Sequence, residues 1–114
     1  MEQLSIAELA NRLSPVFSDY DIKKAVLFGS VAKGTATDKS DVDIMVDSGL
    51  KGMRFVGLLE DVQNAVGKDV DMLDVSHIEH GSPIEREIAD TGVTIYSKLI
   101  KSRKVLLWFK QIIV

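Results

Sequence analysis

The stretch VLFGSVAKGTATDKSDVDIMV, residues 26–46, decides how this chain is read. Lys24 to Phe28 (KAVLF) is a short apolar run that stops at Gly29, which predicts a buried strand ending in a turn. Asp41 to Val46 (DVDIMV) alternates, with Val42, Ile44 and Val46 on one face, and predicts a second strand. A polar, glycine-containing loop is expected between them. Residues two apart in a strand point the same way, about 6 to 7 Å apart, so Asp41 and Asp43 aim two carboxylates at one spot.

Working outward, Ser5 and Glu8 form a capping box, and Ile6, Leu9, Ala10 and Leu13 follow at helical spacing, which predicts a helix over residues 5–13. Ser14-Pro15 is expected to restart or kink it. Residues 53–66 (MRFVGLLEDVQNAV) read as a helix stopped by Gly67, and Val70 to Val75 as a third strand. Ser82-Pro83 with Glu85 starts another helix, which Gly92 ends before a fourth strand, Val93 to Tyr96. The expected order is αββαβαβ.

The 114 residues carry 14 Lys+Arg, 17 Asp+Glu and no cysteine. That length suits one domain, since a second would need about fifty residues of its own. An acidic chain is a poor match to a protein whose main partner is nucleic acid. Without cysteine there is no disulfide framework, thiolate zinc site or thiol nucleophile, so any metal must be held by oxygen or imidazole. The first residues show no basic segment followed by an apolar one, and no apolar run approaches the roughly 18 residues of a membrane span; the expectation is a soluble, cytoplasmic protein.

The chemistry concentrates in a few residues. Repulsion between Asp41 and Asp43 costs on the order of 2 kcal/mol at an effective dielectric near 20, and a divalent cation would turn it into attraction. Gly29-Ser30 offers backbone N–H groups and a hydroxyl with no Cβ at Gly29 to block approach, as a phosphate oxygen requires, and Lys33 and Lys39 add charge in the same loop. Either half alone is commonplace: Asp-x-Asp as a solvated strand end, Gly-Ser as a turn. Their conjunction at consecutive strand ends, with a third acid on the next strand, points to a cation and phosphate site. Asp71 is the candidate third acid; Asp69 shares its parity at the very start of the strand, and Asp74 points the other way.

The spacing Gly29-Ser30, ten residues, Asp41-Val42-Asp43 resembles the signature of the DNA polymerase β-like nucleotidyltransferases, and Val70-Asp71-Met72-Leu73 with Gly92-Val93-Thr94-Ile95-Tyr96 resembles its minimal (MNT) branch. The resemblance runs over residues 5–98. It implies an α/β (α+β) fold, a mixed β-sheet of about four strands with helices packed on one side. It also implies Mg2+-dependent attack of a hydroxyl on the α-phosphate of a nucleoside triphosphate, with two ions held by Asp41, Asp43 and Asp71. Asp71 would polarise the hydroxyl, and Gly29, Ser30, Lys33, Lys39 and Ser40 would bind the nucleotide. Lys33 stands where the family often has Arg, keeping the charge without the bidentate fork. Chains of this size resemble the antitoxin half of HEPN/MNT modules, which use ATP to adenylylate a tyrosine of a helical HEPN toxin. The expected assembly is therefore a homo- or hetero-oligomer. A non-catalytic antitoxin that works by contact is the alternative. Nucleotidyl transfer to a small molecule is a third reading, which lacks room for an acceptor domain.

His77 and His80 read as surface-loop residues, Phe55, Leu58, Leu59 and Val62 as core, and Glu85, Arg86 and Glu87 as a solvated helix face. Residues 1–100 form the expected nucleotidyltransferase domain, with ten basic and seventeen acidic residues, whereas residues 101–114 hold four basic ones and no acid. That tail (KSRKVLLWFKQIIV) is apolar almost all round and reads as a docking helix, a membrane-surface anchor or an unordered end.

Overall fold

A computed structural model describes residues 4–98; the tail at 101–114 lies outside the described residues. The elements are α1 (Ile6–Asp19), β1 (Lys24–Phe28), α2 (Gly29–Lys33), β2 (Val42–Asp47), α3 (Met53–Val66), β3 (Val70–Asp74), a 3-10 turn (Val75–His77), α4 (Pro83–Thr91) and β4 (Val93–Ser97). The strands form one sheet in the order β3-β2-β1-β4. β1 runs antiparallel to both β2 and β4, and β2 runs parallel to β3. This is the expected four-stranded mixed sheet.

Alternation along the strands sorts the side chains. Ala25, Leu27, Val42, Ile44, Val46, Val70 and Met72 join Leu9, Leu13 and Phe17 of α1 and Leu58, Val62 and Val66 of α3 in one buried cluster. The two long helices therefore share one face of the sheet, tied to each other by the Tyr20 hydroxyl, which donates to Asp61 Oδ2 at 2.6 Å. The opposite face carries Asp43 and Asp71, half-buried and exposed respectively. The end of α4 lies against β1 there: a Cβ on Gly92 would overlap Ile88 O and come within 2.9 Å of Val26 Cγ1.

Four local readings are corrected. α1 does not stop near residue 13 but runs through Pro15 to Asp19. Pro15 is exposed, so the lost backbone bond faces water, while buried Leu13 and Phe17 hold the turns on either side to the sheet. The loop after β1 contains a five-residue helix, α2, ended by Gly34 at φ 77. Asp41 lies just before β2 rather than within it. β3 ends at Asp74, and Val75 already belongs to the 3-10 turn.

Asp74 explains that last difference. It is 4% exposed and accepts the backbone N–H groups of Ser48 (3.1 Å) and Ser76 (3.0 Å) together with both serine hydroxyls. Burial pushes its carboxyl up, but these four hydrogen bonds outweigh burial and hold it at about 2. The folded value lies below the unfolded one, so the ionised group stabilises the fold above the ordinary carboxylate range and the contribution drains away as pH falls toward 2. Urea unfolding between pH 7 and pH 2.5 should show an acid-side loss of about 2 kcal/mol from this residue. In Asp74→Asn that limb should be flatter, with stability at pH 7 lower by about 2 kcal/mol as well.

Candidate active site

The parallel register places Asp43 of β2 directly beside Asp71 of β3, with Val42 beside Val70 and Ile44 beside Met72 behind them. Buried valines at 42 and 70 fix the parity, so the intervening acids turn outward together. Asp41 lies two residues before Asp43, just ahead of β2, and its negative charge acts on the Asp43 carboxyl. Asp69 sits before β3, where its carbonyl accepts Val42 N–H at 3.1 Å, and Asp74 is spent in the network above. Asp71 is therefore the third acid that the sheet brings to the pair.

Gly29 closes the site from the β1 side. Its φ is +74, and a Cβ there would overlap Asp43 Oδ2 and lie 3.2 Å from Asp43 Cγ. The backbone thus needs glycine twice over, for its conformation and for the carboxylate that occupies the side-chain position. Ser30 follows in α2, and Lys33 ends that helix. Lys39 and Ser40 are placed differently. With Asp41, Asn64, Lys68 and Asp69 they line an open groove of about 830 Å3 between the turn before β2 and the end of α3. The Ser40 hydroxyl accepts Thr37 N–H at 2.9 Å and so shapes the turn that carries Lys39.

Burial raises the Asp43 carboxyl above its ordinary value, and the negative charges of Asp71, Glu87 and Asp41 add to it, in that order. The sequence pattern places Glu87 on a solvated face; in the structure it is half-buried on α4 and its charge acts on Asp43. Nothing in a single sequence brings residue 87 to residue 43, because the approach depends on α4 folding back across β1. Thr91, one turn further on, donates to Glu87 O at 2.8 Å and accepts Gly29 N–H at 3.3 Å. His77 and His80 are exposed, as expected of loop residues. Among the described residues no three His, Asp or Glu side chains already close around a common metal position. The donor chemistry nevertheless suits a hard divalent cation, because Asp41, Asp43 and Asp71 offer only oxygen donors and their negative charges add to burial in raising the Asp43 carboxyl, which a cation would offset.

Residues 11–101 match the family model of the polymerase beta nucleotidyltransferases, and the chain belongs to that family. It is a nucleotidyltransferase. Two relatives come from Methanocaldococcus jannaschii. "Putative protein adenylyltransferase MJ0435" is 30% identical over 77 residues, covering 66% of this chain and 83% of the relative. "Putative protein adenylyltransferase MJ1379" is 30% identical over 96 residues, covering 79% and 95%. Among solved structures, a toxin-antitoxin complex with AMP-PNP superposes with a TM-score of 0.67 at 20% identity, over 90% of this chain and 88% of that one. A tri-AMPylated Shewanella oneidensis HEPN toxin in complex with MNT antitoxin gives a TM-score of 0.60 at 17% identity, over 91% and 86%. These two likenesses establish the shared fold. Among the described residues no helix is long and apolar enough to cross a membrane.

Two outcomes follow from the geometry. An ionised Asp43 opposes folding of the metal-free protein, because its folded value lies above its unfolded one. Asp43→Asn should therefore melt higher than wild type at pH 8, with the gap closing as pH falls into the ordinary carboxylate range. Gly29→Ala should lose about 1 to 2 kcal/mol from the left-handed backbone alone, and the displaced Asp43 carboxylate should lower transfer at least about 100-fold. Thermal melts and a transfer assay read the two effects separately.

Proposed function

We propose that this chain transfers AMP from ATP to a hydroxyl on a partner protein, a tyrosine of a helical HEPN toxin, and acts as its antitoxin. The observation that carries the reading is the register of Asp43 against Asp71, with Asp41 two residues before and Gly29-Ser30 beside them. The names of the two relatives as protein adenylyltransferases support the donor and the protein acceptor. The toxin-antitoxin complexes that share the fold support the antitoxin role.

In this reading Gly29 and Ser30 line the triphosphate, Ser30 through its hydroxyl. Lys33 and Lys39 offset its negative charge, and Ser40 orders the turn that presents Lys39. Asp71 accepts the proton of the acceptor hydroxyl as the hydroxyl oxygen bonds to the α-phosphorus; the bond from that phosphorus to the bridging oxygen breaks, and pyrophosphate leaves. Asp41, Asp43 and Asp71 would hold Mg2+, as two ions, which supplies charge neutralisation of the α-phosphate and the leaving group. In this reading the acceptor comes on another polypeptide, as the names of the two relatives as protein adenylyltransferases support.

The test is to incubate the purified protein with Mg2+ and ATP labelled on the α-phosphate in lysate of its own host, beside an Asp41→Asn, Asp43→Asn double variant. A labelled protein band that falls at least about 100-fold in the variant is the expected result. Absence of label, with capture of the same partner by both versions, would make the chain a binding-only antitoxin, and label on a small molecule would relocate the acceptor.

A further inference from the structure

We propose that Thr91 is a positioning residue of the transfer site, fixing Gly29 against the Asp43 carboxylate; this rests on the nucleotidyl-transfer reading above. Thr91 is the last residue of α4 and lies 62 positions from Gly29 in sequence, yet its hydroxyl accepts the Gly29 N–H at 3.3 Å. The same hydroxyl donates to Glu87 O at 2.8 Å, so one oxygen is held by its own helix and holds the backbone of β1's end in turn. Phe28, at the N-cap of α2, makes no side-chain hydrogen bond to that helix, and Thr91 supplies from a distant element the acceptor that a local cap would otherwise give.

The link reaches the reacting end of the sheet in one further step. A Cβ on Gly29 would overlap Asp43 Oδ2, so the Gly29 backbone and the Asp43 carboxylate are in direct apposition, and any drift of one moves the limits set on the other. α4 is itself anchored where the link begins: Gly92 N–H donates to Ile88 O at 2.8 Å, and the Cβ that Gly92 lacks would come within 2.9 Å of Val26 Cγ1 on β1. The close approach of α4 to β1 thus sets the reach of Thr91, and Thr91 sets Gly29. The Glu87 charge felt at Asp43 is a second consequence of the same approach.

Only a hydroxyl can donate to one carbonyl and accept from an N–H at the same point, which makes the substitutions discriminating. Thr91→Val keeps shape and removes both bonds; Thr91→Ser keeps both bonds and removes a methyl. Two measurements are made on wild type, Thr91→Val and Thr91→Ser, each corrected for the fraction folded. One is Mg2+ affinity, followed through the backbone amide signals of Asp43 and Gly29. The other is the single-turnover rate of transfer to the acceptor. We expect Thr91→Val to bind Mg2+ about threefold more weakly and to transfer about tenfold more slowly, and Thr91→Ser to stay within about twofold of wild type in both. A residue that only supports the fold would lower the melting temperature of Thr91→Val and leave both quantities per folded molecule unchanged, which overturns the proposal. If wild type transfers nothing, the nucleotidyl-transfer reading fails; the Mg2+ arm still decides whether Thr91 positions Asp43, and equal affinity in Thr91→Val and wild type rejects it.

Discussion

The site depends on two like charges held side by side. Asp43 and Asp71 face one another across a parallel strand pair, an arrangement that destabilises a sheet on its own. What keeps them there is the other face of the same two strands. Val42, Ile44, Val70 and Met72 are buried against α1 and α3, and moving either carboxylate away by a register slip would turn those apolar side chains into water. The hydrophobic core therefore enforces a charge arrangement that its own energetics would not choose. Burial raises the Asp43 carboxyl, and the charge of Asp71 held beside it raises it further.

β3 shows how finely parity assigns roles. Its residues 71 and 74 are both aspartates three positions apart, and a strand sends them to opposite faces. Asp71 is exposed beside Asp43 and makes part of a negative end, whereas Asp74 is buried, satisfied by Ser48 and Ser76, and lowered well below the ordinary carboxylate range. The same side chain is a site element in one position and a structural clasp in the other, and the difference lies wholly in which face it meets.

Much of this was legible before the fold was known. An apolar run ending at Gly29 marks β1, period-two alternation marks β2, glycine and capping signals bound α3 and α4, and strand parity separates Asp71 from Asp74. The failures share a physical cause, since each concerns an element whose state is set by contacts distant in sequence. α2 has five residues, too few to be stable by local propensity, and Thr91 holds its first N–H from 62 residues away. Pro15 should interrupt a helix in isolation, but the burial of Leu13 and Phe17 on either side keeps α1 continuous. Glu87 follows a helical pattern that any solvated face would show, and only the packing of α4 on β1 turns its charge toward Asp43. The division of the expected nucleotide-binding residues into those beside Gly29 and those lining the groove with Asp41 likewise needs the path of the loop between β1 and β2, which composition does not encode.

The overall charge sharpens the logic of such a site. The first 100 residues carry ten basic and seventeen acidic side chains, so a bare triphosphate approaches a domain of its own sign. Attraction must then be local, and the groups able to supply it are few: Lys33 at the end of α2, and Lys39 and Lys68 in the groove beside Asp41. A cluster of carboxylates next to these lysines works against binding an anion unless a divalent cation arrives with it, because the cation cancels the cluster and the phosphate charge together. The negative charge that opposes a free nucleotide, and that adds to burial in raising the Asp43 carboxyl, would favour a metal-bound one. In the proposed reading, the placement of the acids would by itself favour the metal complex over the bare anion.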